Sequence, residues 1–365
     1  MRAQGKNVLT FAAGEPDFNT PEEICEAAIR AIKEGKTKYT PSAGIPALRE
    51  AIAAKVTQET GWQVAPNQVV TSTGAKQALY NTFQLLLDAG DEVILLAPYW
   101  MTYRDQVELA GGVPVVVKAS REDRYIPNPD QVRAAITPRT RAIVINTPSN
   151  PTGAVIPREI LTQLVEIAVQ HNLWIVSDEI YDKLVYDGEH TSVASLGEEV
   201  QRRTILINGV SKTYAMTGWR LGYLVAPPQV AQAASNFQDQ VTSNPSSVTQ
   251  YAALAALKMD MSGVTAMREE FHARRDLIVQ GLAEVPGFQI DLPGGAFYAF
   301  VDAHERLGSR TDVEIADFLL EKAEVALVPG SVFEGDGCLR LSYAASRADI
   351  LEGVRRIQCA MKEWN

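Results

Sequence analysis

Four short apolar segments of the chain are each followed by a side chain that could take part in chemistry. These side chains are a carboxylate, an amide, an amine and an indole, from Asp178, Asn150, Lys212 and Trp100. The amine is the nucleophile that Schiff-base chemistry requires, and an aromatic face can orient a flat ligand. Each residue alone has an ordinary explanation: a helix cap, an Asn-Pro turn, a solvated lysine or a core aromatic side chain. Their shared position after strands favours a ligand site, because open parallel sheets bind ligands beyond the carboxyl ends of their strands.

The elements that must position these residues alternate between strand and helix patterns. Buried strands are predicted at Glu92–Ala97, Ala142–Asn146, Leu173–Ser177 and Thr204–Asn208. Helices are indicated by apolar residues at helical spacing, namely Leu48, Ile52 and Val56 after Pro46, Leu79, Phe83 and Leu86 after Gly74, and Ile160, Leu164 and Ile167 after Pro157. This alternation predicts an α/β fold with a parallel sheet covered on both faces.

The pattern changes after about Val241. The predicted elements there are long helices at Tyr251–Leu257 and Arg268–Leu282, strands at Phe288–Ile290, Ala296–Val301, Val325–Val328 and Leu339–Ser342, and helices at Val313–Lys322 and Arg347–Lys362. Such a succession is typical of a smaller α+β domain. We place the boundary within residues 265–285, where one long helix can bridge both parts.

Composition narrows the possible classes of function. The chain has 365 residues, of which 46% are hydrophobic and 21% charged, as expected of a globular protein with about two domains. Its net charge of −10 disfavours nucleic acid as a partner, although a local basic pocket for a small anion stays open. No apolar segment approaches the ~18–20 residues of a membrane span, and the first residues lack the apolar core of a signal peptide. We therefore expect a soluble, cytoplasmic protein without a membrane partner.

The cysteines and histidines do not favour a metal site. The three cysteines, Cys25, Cys338 and Cys359, are too few and too scattered for a disulfide framework or a zinc site, and they indicate a reducing compartment. The four histidines lack the spacing of a paired ligand motif.

Several motifs resemble those of one enzyme family. They are Ser149–Gly153 (SNPTG), Ser177–Tyr181 (SDEIY) and Ser211–Gly222 (SKTYAMTGWRLG), supported by Gly14–Phe18, Lys38–Pro41, Thr73–Gln77 and Arg340–Tyr343. These motifs cover essentially the whole chain and occur along it in the order typical of one family. They resemble the fold-type I pyridoxal-phosphate aminotransferases of class I, and most narrowly the bacterial aspartate aminotransferase branch. The resemblance implies a large cofactor-binding domain at residues 18–279, with a mostly parallel seven-stranded sheet flanked by helices. A smaller α+β domain would comprise residues 1–17 and 280–365.

The resemblance also implies a cofactor, pyridoxal 5'-phosphate, and a role for each matching residue. Lys212 would be the catalytic residue, forming a Schiff base with the aldehyde and then moving the substrate's Cα proton. Asp178 would pair with the protonated pyridine nitrogen, and Trp100 would stack on the ring. Tyr181 and Asn150 would donate hydrogen bonds to the phenolic oxygen.

The phosphate requires donors and positive charge. The implied phosphate-binding residues are Gly74, Ala75 and Lys76 at the start of a helix, together with Ser211 and Arg220. Many family members carry a serine ligand where this chain has Gly209, so the remaining phosphate ligands would carry more of the binding. Tyr39 matches a tyrosine that reaches the phosphate site of the neighbouring subunit, which implies a homodimer with shared active sites.

Substrate recognition is implied at the same pocket. Arg340 matches the arginine that binds the α-carboxylate, and Gly14 would contribute through its backbone. Lys76 would reach the distal carboxylate of a dicarboxylic substrate, with Trp100 and Asn150 also contacting the substrate. The expected reaction is transfer of an amino group from an L-amino acid, aspartate or glutamate first, to a 2-oxo acid.

Three alternatives remain open at this point. One is a lyase that uses the same fold and cofactor, another is an aminotransferase for aromatic or prephenate-like acids, and the most remote is a non-catalytic effector-binding module. A nicotinamide dehydrogenase and a serine hydrolase are disfavoured because neither motif, G-x-G-x-x-G nor G-x-S-x-G, is present. Relatives usually carry a further N-terminal stretch that helps to close the site, and this sequence begins after the position of that stretch, so closure and substrate choice stay open here while the implied cofactor site is unaffected.

Overall fold

The computed structural model describes residues 5–364, so residues 1–4 and Asn365 of the predicted small domain lie outside the described part. Its strands are β1 (Leu9–Thr10), β2 (Val69–Ser72), β3 (Glu92–Ala97), β4 (Val113–Lys118), β5 (Thr140–Asn146), β6 (Trp174–Asp178), β7 (Thr204–Gly209), β8 (Gly222–Val225), β9 (Gln289–Ile290), β10 (Tyr298–Asp302), β11 (Val325–Ala326), β12 (Val328–Pro329) and β13 (Cys338–Ser342).

The helices fall between these strands and cover their faces. They are α1 (Glu22–Lys33), α2 (Pro46–Thr60), α3 (Ala75–Leu86), α4 (Thr102–Leu109), α5 (Pro129–Ala134), α6 (Arg158–Gln170), α7 (Glu198–Gln201), α8 (Pro228–Val241), α9 (Ser247–Lys258), α10 (Ser262–Ala283), α11 (His304–Leu307), α12 (Asp312–Lys322) and α13 (Arg347–Ala360). Short 3-10 helices lie at Pro66–Gln68, Val193–Leu196, Thr217–Trp219 and Gly330–Phe333.

A mostly parallel, seven-stranded sheet forms the centre of the larger part, which confirms the predicted fold class. Its strand order is β2-β8-β7-β6-β5-β3-β4, and β8 runs antiparallel to both of its neighbours. The strands are continuously apolar because helices cover both faces. In β3, Val93 and Leu95 belong to the core that contains residues of α3 and α4, whereas Ile94 belongs to the core that contains residues of α6.

The order of strands decides where the candidate residues meet. The strands β7, β6, β5 and β3 are neighbours and run parallel to one another. Their carboxyl ends therefore lie side by side at one edge of the sheet. Lys212, Asp178, Asn150 and Trp100 lie at or just after these ends. The structure thus places these four residues at one edge of the sheet.

A second, antiparallel sheet with the order β12-β13-β10-β9 forms the core of the smaller part. The prediction of one strand over Val325–Val328 is wrong, because β11 pairs in parallel with β1 whereas β12 pairs with β13. Pro329 has no backbone N–H, so β12 fits only at the edge of its sheet. The chain therefore changes sheets at Leu327.

The long helix α10 joins the two parts, and its buried residues Phe271, Ile278 and Leu282 pack in the core that contains the second sheet. We propose the two-domain division at about residue 280 on this basis, within α10 itself. Within residues 5–364, none of the helices combines the length and the apolar character needed to cross a membrane.

Candidate active site

A cavity of about 290 Å³ opens at the carboxyl ends of the central strands, between the large sheet and the smaller part. Most of the residues predicted for the site line it, namely Gly14, Ala75, Lys76, Trp100, Asn150, Asp178, Tyr181, Ser211, Lys212, Arg220 and Arg340. Residues from strands far apart in the sequence thus contribute to one pocket.

Asp178, the last residue of β6, is 2% exposed and lies at the floor of this pocket. Its Oδ2 accepts a hydrogen bond of 2.7 Å from the Tyr103 hydroxyl, and its Oδ1 accepts one of 3.2 Å from the Ile180 backbone N–H. Burial raises the pKa of this carboxyl to about 6, and the two hydrogen bonds oppose that shift. A cationic group placed in the pocket would favour the ionised carboxylate.

Lys212 follows β7 and reaches into the pocket from the next strand along the sheet. Its ammonium group donates a hydrogen bond of 2.5 Å to the Gly14 backbone oxygen. Burial lowers the pKa of this amine to about 8; the nearby Arg220 and Arg340 add to the effect, whereas Glu15 and Asp178 oppose it. The shift brings the amine closer to the uncharged state in which it is a nucleophile and a base.

The start of α3 and Arg220 form a cationic cradle at one side of the pocket. Gly74 precedes α3 with a φ of +82°, and the first amides of a helix lack partners within the helix. A Cβ on Gly74 would lie 2.5 Å from Nη2 of Arg220, so the missing side chain leaves room for the guanidinium. Arg220 itself is held by a hydrogen bond of 3.0 Å from Nη1 to the Thr217 backbone oxygen. Backbone amides and a guanidinium are suited to a phosphate.

Arg340 lies on β13 and faces the pocket from the smaller part. Its Nη1 donates to Asn150 Oδ1 and its Nη2 to the Ala12 backbone oxygen, each at 2.9 Å. Its planar group lies 4.6 Å from the ring centroid of Tyr298, and Nε has no partner among residues 5–364. A guanidinium that is positioned but not saturated can bind a carboxylate. Because Asn150 uses its oxygen for Arg340, its Nδ2 remains able to donate into the pocket.

The aromatic side chains of the pocket contact one another and the nearby Lys76. The Tyr181 hydroxyl lies 2.8 Å from the Tyr298 hydroxyl, and burial raises the pKa of Tyr181 well above its ordinary value. The Lys76 ammonium lies 4.8 Å from the ring centroid of Trp100. Trp100 meets Tyr103 edge-on, with ring centroids 5.6 Å apart. A flat ligand would therefore find one face of the pocket already formed.

Two predicted site residues, Gly74 and Tyr39, do not line the cavity, and neither does Gly209, the position at which relatives carry a serine. Tyr39 is 92% exposed and does not line the cavity of its own chain. Gly209 is buried at the end of β7, where a Cβ would lie 2.9 Å from the Leu221 backbone oxygen. A serine there would require the backbone to move, which gives a physical reason for glycine at this position.

Six residues that line the cavity were not predicted as site residues: Met101, Tyr103, Asn146, Ile180, Thr217 and Tyr298. Asn146 could have been found because it is the last residue of β5, and its Nδ2 donates to the Asp178 backbone oxygen at 2.9 Å. Tyr298 belongs to a strand of the smaller part and gives no comparable signal.

Together the carboxylate, the amine, the aromatic face and the cationic cradle could hold a flat nitrogen heterocycle that carries an aldehyde and a phosphate.

Comparison with known proteins shows which proteins the chain is similar to. The model of the aminotransferase class I and II family matches residues 6–357. An aspartate aminotransferase of Geobacillus stearothermophilus is 48% identical over 366 residues, which cover 99% of this chain and 93% of that protein. A probable aspartate/prephenate aminotransferase of Aquifex aeolicus is 48% identical, with coverage of 100% and 93%. The structure of the Thermus thermophilus aspartate aminotransferase with maleate superposes with a TM-score of 0.95 at 45% identity, covering 98% of this chain and 93% of that one.

Proposed function

The chain belongs to the class I and II aminotransferases and is a transaminase, and we propose that it uses pyridoxal 5'-phosphate to move amino groups between dicarboxylic amino acids and 2-oxo acids. Aspartate and glutamate are the proposed donors. The observation that carries the proposal is one pocket that combines the Lys212 amine and the buried Asp178 carboxylate with Arg340 on the facing wall. The relatives named as aminotransferases, which match 99–100% of this chain, favour an enzyme over the effector-binding module.

The residues of the pocket fit the cofactor group by group. Asp178 would pair with the pyridine nitrogen, since its buried carboxylate has no cationic partner within hydrogen-bonding distance among residues 5–364. The cradle of Arg220 and the start of α3 would hold the phosphate, and the space left by Gly74 supports this assignment. Tyr181 and the free amide of Asn150 would donate to the phenolic oxygen. When bound, pyridoxal phosphate supplies an electron sink for the bond that breaks at the substrate's Cα.

Lys212 would hold the cofactor's aldehyde and, once displaced by the substrate's amine, carry the Cα proton. A base works best when its pKa lies near the working pH. The pKa of about 8 keeps a useful fraction of the Lys212 amine uncharged near neutral pH, whereas a free lysine is almost fully protonated there. The amine stays close to the reacting carbon because the chain after β7 anchors it.

Two cations that line the pocket, Arg340 and Lys76, support a dicarboxylic substrate. Arg340 would bind the α-carboxylate, and Lys76, whose ammonium lies 4.8 Å from the ring centroid of Trp100, would meet a second carboxylate. A Cβ on Gly14 would lie 3.2 Å from the Tyr298 hydroxyl, so glycine leaves room for the substrate at this point of the pocket. The relatives named for aspartate, and the one solved with maleate, support the same substrate class. The aspartate/prephenate name of another relative makes prephenate the acceptor to test next.

We also propose a cytoplasmic homodimer. The exposed ring of Tyr39 supports a role at the neighbouring subunit's phosphate, and the three cysteines are unpaired, as in a reducing compartment. Sedimentation of the active protein tests the assembly. A fully active monomer would rule out the shared site.

The decisive experiment traps the cofactor on its lysine. Borohydride reduction of the protein loaded with pyridoxal phosphate, followed by peptide mapping, should place the label on Lys212. Lys212→Ala should remove the label and slow the half-reactions with aspartate and glutamate by orders of magnitude. A label on another lysine would overturn the assignment. Product analysis with 2-oxoglutarate as acceptor distinguishes amino transfer from elimination, because a lyase would release ammonia.

A further inference from the structure

Tyr103 is a buried tyrosine whose hydroxyl has one hydrogen-bond partner among residues 5–364. The residue lies in the first turn of α4, is 1% exposed, and donates to Asp178 Oδ2 at 2.7 Å. Burying a hydroxyl is costly unless it is hydrogen-bonded, so packing alone does not explain a tyrosine here. Phenylalanine would fill the same space without the polar atom.

We propose that Tyr103 is a positioning residue for amino transfer, whose hydroxyl keeps the Asp178 carboxylate ionised and aimed at the ring nitrogen of the cofactor. The inference rests on the proposed function, because it assumes that Asp178 meets a pyridine nitrogen. In this role Tyr103 does not touch the cofactor itself and acts through Asp178.

The two oxygens of Asp178 are held from different elements. Oδ1 accepts from the Ile180 backbone N–H just beyond β6, and Oδ2 accepts from Tyr103 on α4. Each carboxylate oxygen can accept a second hydrogen bond, so both remain available to a ligand. Two donors from two directions also prevent the carboxylate from rotating. Loss of the Tyr103 hydroxyl would leave the carboxylate held at one oxygen only.

The charges around Asp178 show why this hydroxyl matters for ionisation. Burial raises the pKa of the carboxyl and neighbouring Glu179 raises it further, whereas the Tyr103 hydrogen bond, the Ile180 amide and the Lys212 ammonium lower it. The Tyr181 ring also faces this group, but its buried hydroxyl stays uncharged. The Tyr103 hydroxyl therefore donates a side-chain hydrogen bond that favours the charged form of Asp178. Its removal should shift the titration of Asp178 upward.

The tyrosine ring has a separate packing role, which the experiment must leave intact. The ring meets Trp100 edge-on, and α4 is also tied to α3 by a hydrogen bond of 3.0 Å from Gln106 Nε2 to the Lys76 backbone oxygen. Tyr103→Phe keeps the ring and removes only the hydroxyl. Tyr99 offers a matched control, because it is 4% exposed and its hydroxyl has no hydrogen-bond partner in the described chain. Tyr99→Phe makes the same chemical change in the same segment.

The first measurement uses the cofactor-free full chain and does not depend on the proposed function. Urea midpoints are compared for the parent, Tyr103→Phe and Tyr99→Phe at about pH 5 and about pH 8. A folded pKa that lies above the unfolded value costs stability as pH rises from the unfolded to the folded value, and the full cost is present above both. Tyr103→Phe should enlarge that full cost. The variant should therefore lose more stability at the higher pH, whereas Tyr99→Phe should show the same difference from the parent at both. An equal loss at both pH values for Tyr103→Phe would overturn the proposal.

The second measurement asks whether the hydroxyl acts on the ring nitrogen. Tyr103→Phe should weaken the binding of pyridoxal phosphate at about pH 8 by roughly tenfold or more, the size of a hydrogen bond to a charged group. The loss should shrink for a carbocyclic analogue that lacks the ring nitrogen. An equal loss for both ligands would mean a packing role. If the parent bound no pyridoxal phosphate the proposed function would fail, whereas identical binding by the parent and Tyr103→Phe would refute only the role of Tyr103.

A double variant covers the case in which Tyr103→Phe does not fold. Asp178→Asn removes the buried charge, so Tyr103→Phe should cost little stability in that background. A double variant that folds while the single variant does not supports the proposal. Failure of both to fold would assign Tyr103 to packing and overturn it.

Discussion

Asp178→Asn separates what a buried carboxylate costs the fold from what it contributes to catalysis. The folded pKa of Asp178 is raised from 3.8 to about 6 by burial. Because the folded value is the higher one, its stabilising effect is complete below pH 3.8 and is lost as pH rises through about 6. A difference of about two pKa units corresponds to about 3 kcal/mol of unfolding free energy. The ionised Asp178 therefore destabilises the cofactor-free protein by up to about 3 kcal/mol at neutral pH and above.

Asparagine at position 178 removes this electrostatic cost, but the substitution also loses a hydrogen bond, which offsets part of the gain in stability. Its side chain has one acceptor oxygen, so either the Tyr103 hydroxyl or the Ile180 amide loses its partner, at about 1 kcal/mol. We expect the free energy of unfolding of Asp178→Asn to exceed that of the parent by about 1–2 kcal/mol near pH 8. Near pH 4 we expect no increase in the free energy of unfolding. Catalysis should change in the opposite direction. Loss of the charge beside the ring nitrogen should lower kcat by roughly 10²–10³-fold, as when one preorganised electrostatic group is removed.

The assay is urea unfolding of the cofactor-free protein at both pH values, with single-turnover kinetics on aspartate for the loaded protein. Asp182→Asn is the matched control. Asp182 is 8% exposed, but Lys55 and Lys183 overcome the effect of burial and hold the pKa of its carboxyl below the ordinary value. This variant should lose stability at pH 8 and keep its activity. If Asp178→Asn lost stability at pH 8 as the control does, the cost that we assign to its buried charge would be wrong.

Three other outcomes follow from the pocket. Lys76→Ala should lower kcat/KM for aspartate by about 1.5–3 kcal/mol and leave phenylalanine almost unchanged, whereas equal losses on both would assign Lys76 to the cofactor. Gly74→Ala, with its Cβ 2.5 Å from Arg220 Nη2, should raise the dissociation constant of pyridoxal phosphate by roughly tenfold or more, measured by cofactor titration. Gly61→Ala has a similar φ of +76° but nothing within 4 Å, so it should lose only stability; an equal loss of cofactor affinity there would refute the cradle. In the cofactor-free protein, acylation of Lys212 should have its midpoint near pH 8, because burial lowers the pKa of this amine to about 8; a midpoint near that of free lysine would contradict the burial argument.

The central strands could be predicted from the sequence because both of their faces are buried. The strands β3, β5, β6 and β7 are short, continuous apolar segments, and their observed bounds differ from the predicted ones by at most two residues. The strands β2, β4 and β8 were missed. In β4, Val113 is exposed and Pro114 interrupts the pattern, as an edge position allows. The other two have only four residues each, too few for a periodicity to be recognised.

Most residues that line the candidate site could be predicted, but their mutual contacts could not. Asp178 and Tyr103 are 75 positions apart, and Arg340 and Asn150 are 190 apart. A motif identifies a residue type at a strand end but does not indicate which side chain from another element will reach it. Such partners depend on the order of strands and on where each loop lies above the sheet. The hydrogen bond between Tyr103 and Asp178 is therefore visible only in three dimensions.

The pocket is lined mainly by cationic side chains, although the chain as a whole is acidic. The molecule has a net charge of −10, yet four cationic side chains and one carboxylate line this cavity: Lys76, Lys212, Arg220, Arg340 and Asp178. Burial penalises the charge on both Asp178 and Lys212 and moves their pKa values toward neutrality. A ligand with a cationic ring nitrogen, a phosphate and carboxylates would compensate each of these groups in turn. The free energy lost by building such a site is thus recovered when the ligand binds, so the features that cost the empty fold stability are those that select its cofactor and its substrate.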